Sequence, residues 1–328
     1  MRVGIDCRKI DDFGIGTYIR GLLTAMAGVE YVAFGPHDLD LPAGIEHVMV
    51  DAPKYSIREL FRVGRGVKID LFHAPHYVVP FVDVPFVVTI HDLIHLRHRN
   101  PLARIYARRM IGRAVGKSRR VITVSETVRG QIASEFGHVE KIAVTPNGAD
   151  HLRSFASLRM REHPYFVFVG NDKPHKNVDR LVEASSRIQG AQLILVGGGF
   201  ERFRDRAIIA GFVSRDELAS LYGGAIALVQ PSIEEGFGLP ALEAMACGTA
   251  VITSNAPALI EITGDAALHV DARSIDDIAN AMTRVMHDGS MRAAMIARGL
   301  DRAKNFTWRR CADLTREIYI ASLDNAFH

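Results

Sequence analysis

The sequence predicts an α/β protein of two Rossmann-like parallel-sheet domains, and three observations support this fold class. The 328 residues are too many for one ordinary hydrophobic core and suit two domains. Short β-rich runs alternate with helical patterns along the whole chain, as they do where helices join parallel strands. Residues 148–164 have no strand pattern and separate the two series, so the linker is predicted there.

Each predicted domain has its own series of strand patterns. The first domain, residues 1–155, contains RVGID, YVAFG, HVMV, LFHA, FVVTI, RVITV and IAVT. The second, residues 156–305, contains YFVFVG, QLILVG, AIALVQ and AVITS. Residues 306–328 are predicted to form a C-terminal helix that packs back on the first domain.

Several predicted helices have recognisable starts. Ser214 and Glu217 form a capping box at the start of SRDELASLY. The pattern NVDRLVEASSRI opens at Asn177. Thr307 is the predicted N-cap of the last helix, and Trp308, the only tryptophan, lies near its start.

Composition narrows the class of protein. Hydrophobic residues make up 48% of the chain, and no apolar run reaches the roughly 18 residues that a membrane span needs. The N-terminus reads as a strand, not as a signal peptide. Cys7, Cys247 and Cys311 are an odd number without paired spacing, which is typical of a reducing compartment. We therefore expect a cytoplasmic protein.

The two halves differ in charge. Residues 1–161 contain 23 Lys and Arg against 16 Asp and Glu, whereas residues 162–328 contain 17 against 21. The basic excess is concentrated in residues 97–120, with nine basic residues and no acid. On a helix its basic rows would be Arg104 with Arg108, and Arg109 with Arg113 and Lys117.

This basic tract predicts peripheral contact with anionic lipid. The alternative stays open, because Leu102 and Tyr106 fall between the basic rows and are also typical of a solvated, partly core-facing helix. Nucleic acid is not an expected partner, since Tyr106 is the only interleaved aromatic residue.

The stretch EEGFGLPALEAMACG, residues 234–248, predicts an anion-binding loop followed by a short helix. Pro240 suits the first turn of that helix and Gly248 suits its end. Gly236 and Gly238 carry no Cβ, so their backbone N–H groups can approach a ligand where the helix dipole favours an anion.

Two acids lie eight positions apart in this stretch. Glu235, in the loop, and Glu243, predicted in the opening turn of the helix, can accept hydrogen bonds from hydroxyls on either side of a diphosphate. Sugar nucleotides have that shape. In the open alternative Glu243 only favours the helix dipole and Glu235 is a solvated turn residue.

Two glycine-rich stretches fail the dinucleotide fingerprint. Gly14 and Gly16 are predicted to precede a helix and can present N–H groups to a phosphate, although a plain turn is an equal alternative. Ile19 and Arg202 stand where the third glycine of each fingerprint would be. The sequence therefore does not favour a dinucleotide-binding dehydrogenase.

Histidines are frequent near the strand exits of the first domain: His73, His76, His91, His95 and His98. No Cys or Glu completes a familiar zinc pattern, so no metal site is predicted. His91 closes the strand FVVTI, and Asp92 can orient its ring. A structural histidine is the alternative.

Lys176 stands just before the predicted helix start at Asn177, where a positive charge is costly unless an anion is bound. Lys173 can share that role, and both lysines can alternatively be solvated. The acidic triplet at residues 38–40 lies in a loop and is predicted to be a turn.

Taken together, these segments resemble the retaining glycosyltransferases of family 4, two-domain enzymes of the GT-B fold. PSIEEGFGLPALEAMACGTAVITSN resembles the Glu-x7-Glu segment of that family, and YFVFVGNDKPHKNVDRL resembles its phosphate-binding lysine segment. VVTIHDLIHL resembles its active-site histidine segment, and GIGTYIRGLL its N-terminal glycine loop. One departure is Asn171, which stands where many members have an arginine, so Lys173 or Lys176 must supply the positive charge.

The resemblance implies a role for each matching residue. Glu243 would bind ribose hydroxyls, and Glu235 would bind the donor sugar. The remaining donor contacts implied are the backbone at Phe237, Gly238 and Leu239 for sugar and diphosphate, and Phe212 and Val213 for the base. Lys176 would stabilise the departing diphosphate without a metal or other cofactor. His91 would hydrogen-bond the donor sugar.

The resemblance also implies partners. The donor is a nucleotide sugar, with GDP-mannose favoured over UDP-glucose, and the acceptor is a glycan or a lipid-linked glycan at the inner membrane face. The variants seen here look most like the bacterial branch that builds surface polysaccharides. A nucleotide-sugar epimerase on the same fold and a non-catalytic binding protein are the alternatives.

Overall fold

The computed structural model describes residues 1–324 apart from 51, 53–58, 65, 98–99 and 156–162. The chain divides into two compact units, Met1–Gly148 with the segment that begins at Trp308, and Ala149–Thr307. The divisions therefore follow residues 148 and 307, not the predicted residues 155 and 305. The Ala149 N–H donates to the Phe306 carbonyl oxygen (3.1 Å). This bond joins the two ends of the second unit, next to the points where the chain enters and leaves it. Part of the predicted linker, residues 156–162, lies outside the described residues.

The first unit contains a parallel sheet whose apolar strands are mostly buried on both faces. Its strands are β1 (Arg2–Asp6), β2 (Glu30–Gly35), β3 (Glu46–Met49), β4 (Leu71–Ala74), β5 (Phe86–Ile90), β6 (Arg120–Thr123) and β7 (Ile142–Val144). They pair in the order β3-β2-β1-β4-β5-β6-β7. Each corresponds to one of the predicted runs.

The second unit contains another parallel sheet, in the order β10-β9-β8-β11-β12-β13. Its strands are β8 (Tyr165–Asn171), β9 (Gln192–Gly198), β10 (Ile208–Gly211), β11 (Ala227–Gln230), β12 (Ala250–Ser254) and β13 (Ala267–Val270). The sequence patterns missed β10 and β13, which are the two edges of this sheet. Edge strands are less buried, so their residues need not form a strongly apolar run.

Helices cover the sheets, and several begin at the expected caps. The α-helices are α1 (Phe13–Ala25), α2 (Glu59–Arg62), α3 (Pro101–Lys117), α4 (Glu126–Phe136), α5 (Val178–Ser185), α6 (Arg215–Gly223), α7 (Leu239–Ala246), α8 (Pro257–Thr263), α9 (Ile275–His287), α10 (Gly289–Ala303) and α11 (Trp308–Leu323). Short 3₁₀ helices cover Ile94–Arg97, Val139–Lys141, Asp150–Phe155, Pro174–Lys176, Glu201–Phe203 and Gly264–Ala266. The capping box of Ser214 and Glu217 is confirmed at α6.

The C-terminal helix α11 packs on α1 and on strands β4 to β6 of the first unit. Gly21 permits a close approach to α1, because a Cβ there would lie 2.1 Å from Trp308 Cε3. Tyr319 enters the core, where its hydroxyl lies 2.6 Å from His73 Nδ1 and 3.2 Å from the Tyr31 hydroxyl.

Each sheet has one point at which the strand order reverses. In the first sheet it lies between β1 and β4, and in the second between β8 and β11. In open parallel sheets, the loops that leave the carboxyl ends of the strands diverge at such a point and leave a crevice in which ligands bind. A ligand is therefore expected at the loops that follow these four strands.

Candidate active site

The glycine loop after β11 leads into α7. Gly238 is the N-cap of that helix and has φ +99°, a conformation that favours glycine. A Cβ there would also lie 2.5 Å from Leu259 Cδ2. Helix α7 begins at Leu239, so the prediction that Glu243 lies in the opening turn is wrong. Glu243 is the fifth residue of α7, and its carboxylate is not a first-turn partner of the dipole.

Glu235, in this loop, receives three hydrogen bonds on one oxygen. Lys176 Nζ (2.7 Å), Gln230 Nε2 (2.8 Å) and Ser232 Oγ (2.7 Å) all donate to Oε1. No described residue donates to Oε2. Burial opposes ionisation of Glu235, but the ammonium of Lys176 and the three hydrogen bonds hold its pKa below the usual value. The result is a carboxylate with one fixed oxygen and one available for a hydroxyl.

The loop after β8 is bound to the loop after β11. Asn177 adopts a left-handed conformation (φ +60°), and its Nδ2 donates to the carbonyl oxygens of Pro231 (3.0 Å) and Ala272 (2.6 Å). The Ile233 N–H donates to the His175 carbonyl oxygen (2.7 Å). These bonds hold Lys176 beside Glu235, across the point where the strand order reverses.

Glu243 is nearly inaccessible, with 5% of its surface exposed. The Tyr222 hydroxyl donates to Oε2 (3.0 Å), and His151 Nε2 lies 3.2 Å from Oε1. Burial, and then the Glu243 carboxylate, raise the pKa of Tyr222 well above its usual value, so its hydroxyl keeps the proton that it donates. Glu243 is therefore held by both of its oxygens.

Backbone N–H groups before and at the start of α7 are available to a ligand. No described residue accepts a hydrogen bond from the N–H of Phe237, Gly238 or Leu239. The Phe237 ring is buried and packs edge-on against Phe306, with ring centroids 6.2 Å apart. Its side chain thus anchors the loop, while the backbone can receive an anion.

The other residues that were predicted to bind the nucleotide sugar lie at neighbouring strand exits of the second sheet. Asn171 Oδ1 accepts a hydrogen bond from the Lys173 N–H (3.3 Å), and the Lys173 side chain is exposed. Phe212 and Val213 follow β10, and the Phe212 ring is 76% exposed. A Cβ on Gly198 would lie 3.3 Å from that ring, so the glycine lets Phe212 approach the end of β9.

The predicted glycine loop of the first unit is part of a helix. Helix α1 begins at Phe13, so the prediction that Gly14 and Gly16 precede it is wrong. Gly16 is buried, and a Cβ there would lie 2.0 Å from the Ile10 carbonyl oxygen. Gly14 is exposed, with no atom within 4 Å of a Cβ built on it. Gly16 is thus required for packing, and only Gly14 leaves room for a ligand.

His91 lies at the end of β5. Its Nε2 lies 3.0 Å from the Pro75 carbonyl oxygen, and the Tyr18 ring packs edge-on against it at 4.9 Å. The expectation that Asp92 orients the ring is wrong, because Asp92 Oδ1 instead accepts from the Ile94 N–H (2.9 Å). Burial lowers the pKa of His91 to about 4, so the ring is neutral near pH 7.

The remaining histidines of this region differ in role. His73 is buried between Tyr319 and Thr89, and burial lowers its pKa to about 3. His76 Nε2 lies 3.3 Å from Asp6 Oδ2, and His95 packs against Tyr77. His98 lies outside the described residues. Within the described part of the chain, no three His, Cys, Asp or Glu side chains are grouped to hold a metal ion.

Helix α3 carries the basic tract, and its faces differ from the prediction. Its buried stripe is Ala107, Ile111, Ala114 and Val115. Leu102 and Tyr106 do not face the core; both are exposed, Leu102 by 76%. Arg113 is half-buried, donates to the Val79 carbonyl oxygen (2.6 Å) and stacks on Phe81, and Arg108 pairs with Glu135 (2.7 Å). Among the described residues, no helix is both long and apolar enough to cross a bilayer.

Sequence reasoning missed the residues that hold the two acids. Gln230 and Ser232 flank the end of β11, and their nearness to Glu235 in sequence was a usable signal. His151 lies in the stretch assigned to the linker, and Tyr222 lies on α6, so neither had a local signal pointing to Glu243.

Two family models match successive parts of the chain. The model of Glycosyltransferase Family 4 matches residues 14–153, and the model of Glycosyl transferases group 1 matches residues 153–302. The chain belongs to family-4 glycosyltransferases of the GT-B fold, in the branch of bacterial polysaccharide enzymes.

Individual similarities agree with this class. The O-antigen chain mannosyltransferase B of Escherichia coli is 28% identical over 286 residues, covering 78% of this chain and 75% of that protein. The O-antigen chain mannosyltransferase RfbU of Salmonella typhimurium is 32% identical over 211 residues, covering 60% of this chain and 59% of that protein. The crystal structure of Anabaena Alr3699/HepE in complex with UDP and glucose has a TM-score of 0.77 at 16% identity, covering 98% of this chain and 100% of that chain.

Proposed function

We propose that this protein is a retaining hexosyltransferase for cell-surface polysaccharide synthesis. It moves mannose from a nucleotide diphosphate sugar, preferably GDP-mannose, to a hydroxyl of a glycan or lipid-linked acceptor. The observation that carries the proposal is the half-occupied carboxylate of Glu235, with three donors on Oε1 and none of the described residues on Oε2.

This arrangement suits a donor sugar joined to a diphosphate. Glu235 Oε2 can accept from a sugar hydroxyl, while the N–H groups of Phe237, Gly238 and Leu239 can receive diphosphate oxygens. Lys176 gives one hydrogen bond to Glu235 and has two more N–H donors for the diphosphate. The site would thus bind both sides of the bond to be broken.

In the proposed reaction, the acceptor oxygen attacks the anomeric carbon from the face that the diphosphate leaves. The bond between that carbon and the diphosphate oxygen breaks, the new glycosidic bond forms, and the acceptor proton passes to the departing diphosphate. The negative charge on the leaving group grows beside Lys176 and the N-terminus of α7, where preorganised positive dipoles stabilise it. This route needs no metal ion.

His91 is proposed to hydrogen-bond the donor sugar as a neutral ring. Its lowered pKa keeps a proton on one ring nitrogen only, so the ring can donate through one nitrogen and accept through the other. The hydrogen bond from Nε2 to the Pro75 carbonyl would make Nδ1 the acceptor. A hydroxyl of the donor sugar could then donate its hydrogen bond to Nδ1.

The mannose assignment rests on the relatives, because both of the mannosyltransferases described above match the chain over more than half of its length. The acceptor assignment rests on helix α3. Its exposed Leu102 and Ile105 stand beside Arg104 and Arg109, which combines apolar and basic residues as on helices that lie in the bilayer interface. Contact with anionic lipid would bring a lipid-linked acceptor within reach.

A panel of nucleotide sugars tests this proposal. GDP-mannose is expected to raise the thermal midpoint most, since a ligand that binds only the folded state stabilises it by mass action. Transfer from that donor in excess chelator should yield an α-linked product from an α-linked donor. Loss of transfer in chelator with rescue by a divalent ion would overturn metal independence. Release of free sugar without an acceptor would favour an epimerase, and stabilisation without turnover a binding protein.

A further inference from the structure

We propose that His151 and Tyr222 are positioning residues that hold Glu243 for the paired 2′ and 3′ hydroxyls of a ribose. Together they would make the nucleotide site select ribonucleotides over forms that lack those hydroxyls. This inference rests on the proposed binding of a nucleotide sugar and adds the source of its sugar selectivity.

Glu243 is isolated from cations of fixed charge. Among the described residues, no lysine or arginine forms an ion pair with this carboxylate, although only 5% of its surface is exposed. A buried carboxylate is costly unless hydrogen bonds compensate for the lost water. Tyr222 and His151 supply that compensation.

The carboxylate of Glu243 has more acceptor places than its two neighbours use. A carboxylate has about four lone-pair sites, two on each oxygen. Tyr222 donates to Oε2 (3.0 Å), and His151 Nε2, 3.2 Å from Oε1, is placed to donate there, which leaves each oxygen one further place. Two parallel acceptor places suit two neighbouring hydroxyl donors, which is the arrangement on the 2′ and 3′ carbons of ribose.

The two neighbours of Glu243 also hold its carboxylate rigidly. Tyr222 donates to one oxygen and His151 lies beside the other, and they come from different elements, helix α6 and the 3₁₀ segment Asp150–Phe155. Tyr222 is itself held, because its carbonyl oxygen accepts from Thr249 Oγ1 (2.7 Å). An oriented acceptor pair loses little rotamer freedom on binding, which favours a diol of matching geometry.

Calorimetric titration of the full-length protein tests this inference. The probes are GDP and UDP, each with its 2′,3′-dideoxy form, on the wild type, Tyr222→Phe and His151→Gln. Each variant is expected to weaken the ribonucleotide about tenfold, because one charge-assisted hydrogen bond to Glu243 is lost, and to leave the dideoxy form unchanged. A merely structural role would weaken both forms alike.

Two matched variants serve as controls. Tyr165→Phe removes another buried hydroxyl of the second unit, which donates to the Leu221 carbonyl oxygen (3.0 Å). His269→Gln removes a ring that contacts Thr263 (2.9 Å). Neither touches Glu243, so both should keep the wild-type ratio of affinities.

The outcomes separate the two proposals. If the wild type binds neither diphosphate, the proposed function fails and this inference fails with it. If the wild type binds but does not distinguish ribose from dideoxyribose, or if Tyr222→Phe and His151→Gln keep the wild-type ratio, only this inference is overturned. Circular dichroism melting checks that each variant is folded, and Tyr222→Phe is the more conservative of the two.

Discussion

The two crevices of the molecule lie at the same topological point of their sheets, yet their acids are satisfied differently. At the end of β1, Asp6 is fully buried and uses both oxygens: Oδ1 accepts from Arg8 N–H (3.1 Å) and Nε (2.9 Å), and Oδ2 from Arg8 Nη2 (2.5 Å). His76 Nε2 lies 3.3 Å from Oδ2 as well. After β11, Glu235 has three donors on one oxygen only.

This contrast separates a structural acid from one that can bind a ligand. Asp6 accepts three hydrogen bonds from Arg8 spread over both oxygens, with His76 Nε2 also beside Oδ2, so little acceptor capacity remains and Asp6 serves to hold the β1 exit in place. Glu235 is ionised and oriented, but its Oε2 keeps acceptor capacity. Burial and a lowered pKa are common to both acids, so neither property separates them; the distribution of donors does.

The largest effect is expected at the structural acid. Asp6→Asn should lower the free energy of unfolding by about 3–5 kcal/mol, because it leaves the Arg8 charge buried without its partner. Urea denaturation measures this loss. Asp11→Asn is the control, since Asp11 pairs with Arg20 at the surface and should cost less than about 1 kcal/mol. Equal effects in the two variants would show that Asp6 is not the structural acid described here.

The next effect separates the two acids of the second unit. Glu235→Ala should lower kcat about 10²–10³-fold, because its carboxylate is proposed to face the reacting sugar. Glu243→Ala should chiefly raise the donor KM, since it is proposed to contact only the ribose. Steady-state transfer assays measure both, with Glu234→Ala as a neighbouring control expected to retain activity. Equal kcat losses with an unchanged donor KM would contradict this division.

Acid should destabilise the two units in different pH windows. In the first unit, His73 and His91 have folded pKa values of about 3 and about 4, below their ordinary value of 6.5. The contribution of each is complete above pH 6.5 and falls by about 1.4 kcal/mol per pH unit below it. The folded pKa of Glu235 is also lowered, from 4.5, so its contribution is lost only below about pH 4.5.

Thermal midpoints at pH 7, 6 and 5 measure the first window. They should fall in the wild type and equally in Glu235→Gln, because Glu235 is ionised throughout this range. A stability that stays constant from pH 7 to pH 5 would contradict the buried neutral state of His73 and His91.

The smallest effect concerns the surfaces of the two units. Replacing Arg104 and Arg109 with Gln should weaken binding to anionic vesicles about fivefold per residue at low salt, since each contributes about 1 kcal/mol near the surface. Arg204→Gln with Arg215→Gln is the matched control on the second unit, where both side chains are exposed. If the wild type does not bind such vesicles, α3 is a solvated helix and not a membrane contact.

Local patterns in the sequence were enough for most of the fold. The seven runs of the first sheet form its strands, because buried parallel strands are continuous apolar segments that can be read one at a time. The edges β10 and β13 lacked that signal. The start of α7 was predicted to within one residue from Pro240, since proline acts on the backbone where it stands.

The order of the elements, the family and the candidate site residues all followed from the sequence. Their partners became visible only in the folded chain. Lys176 contacts Glu235, 59 positions away, on the oxygen that also accepts from Gln230 and Ser232, and His151 lies beside Glu243. Backbone conformation follows from neighbouring residues, whereas the partners of a buried carboxylate depend on which loops the folded sheet brings together.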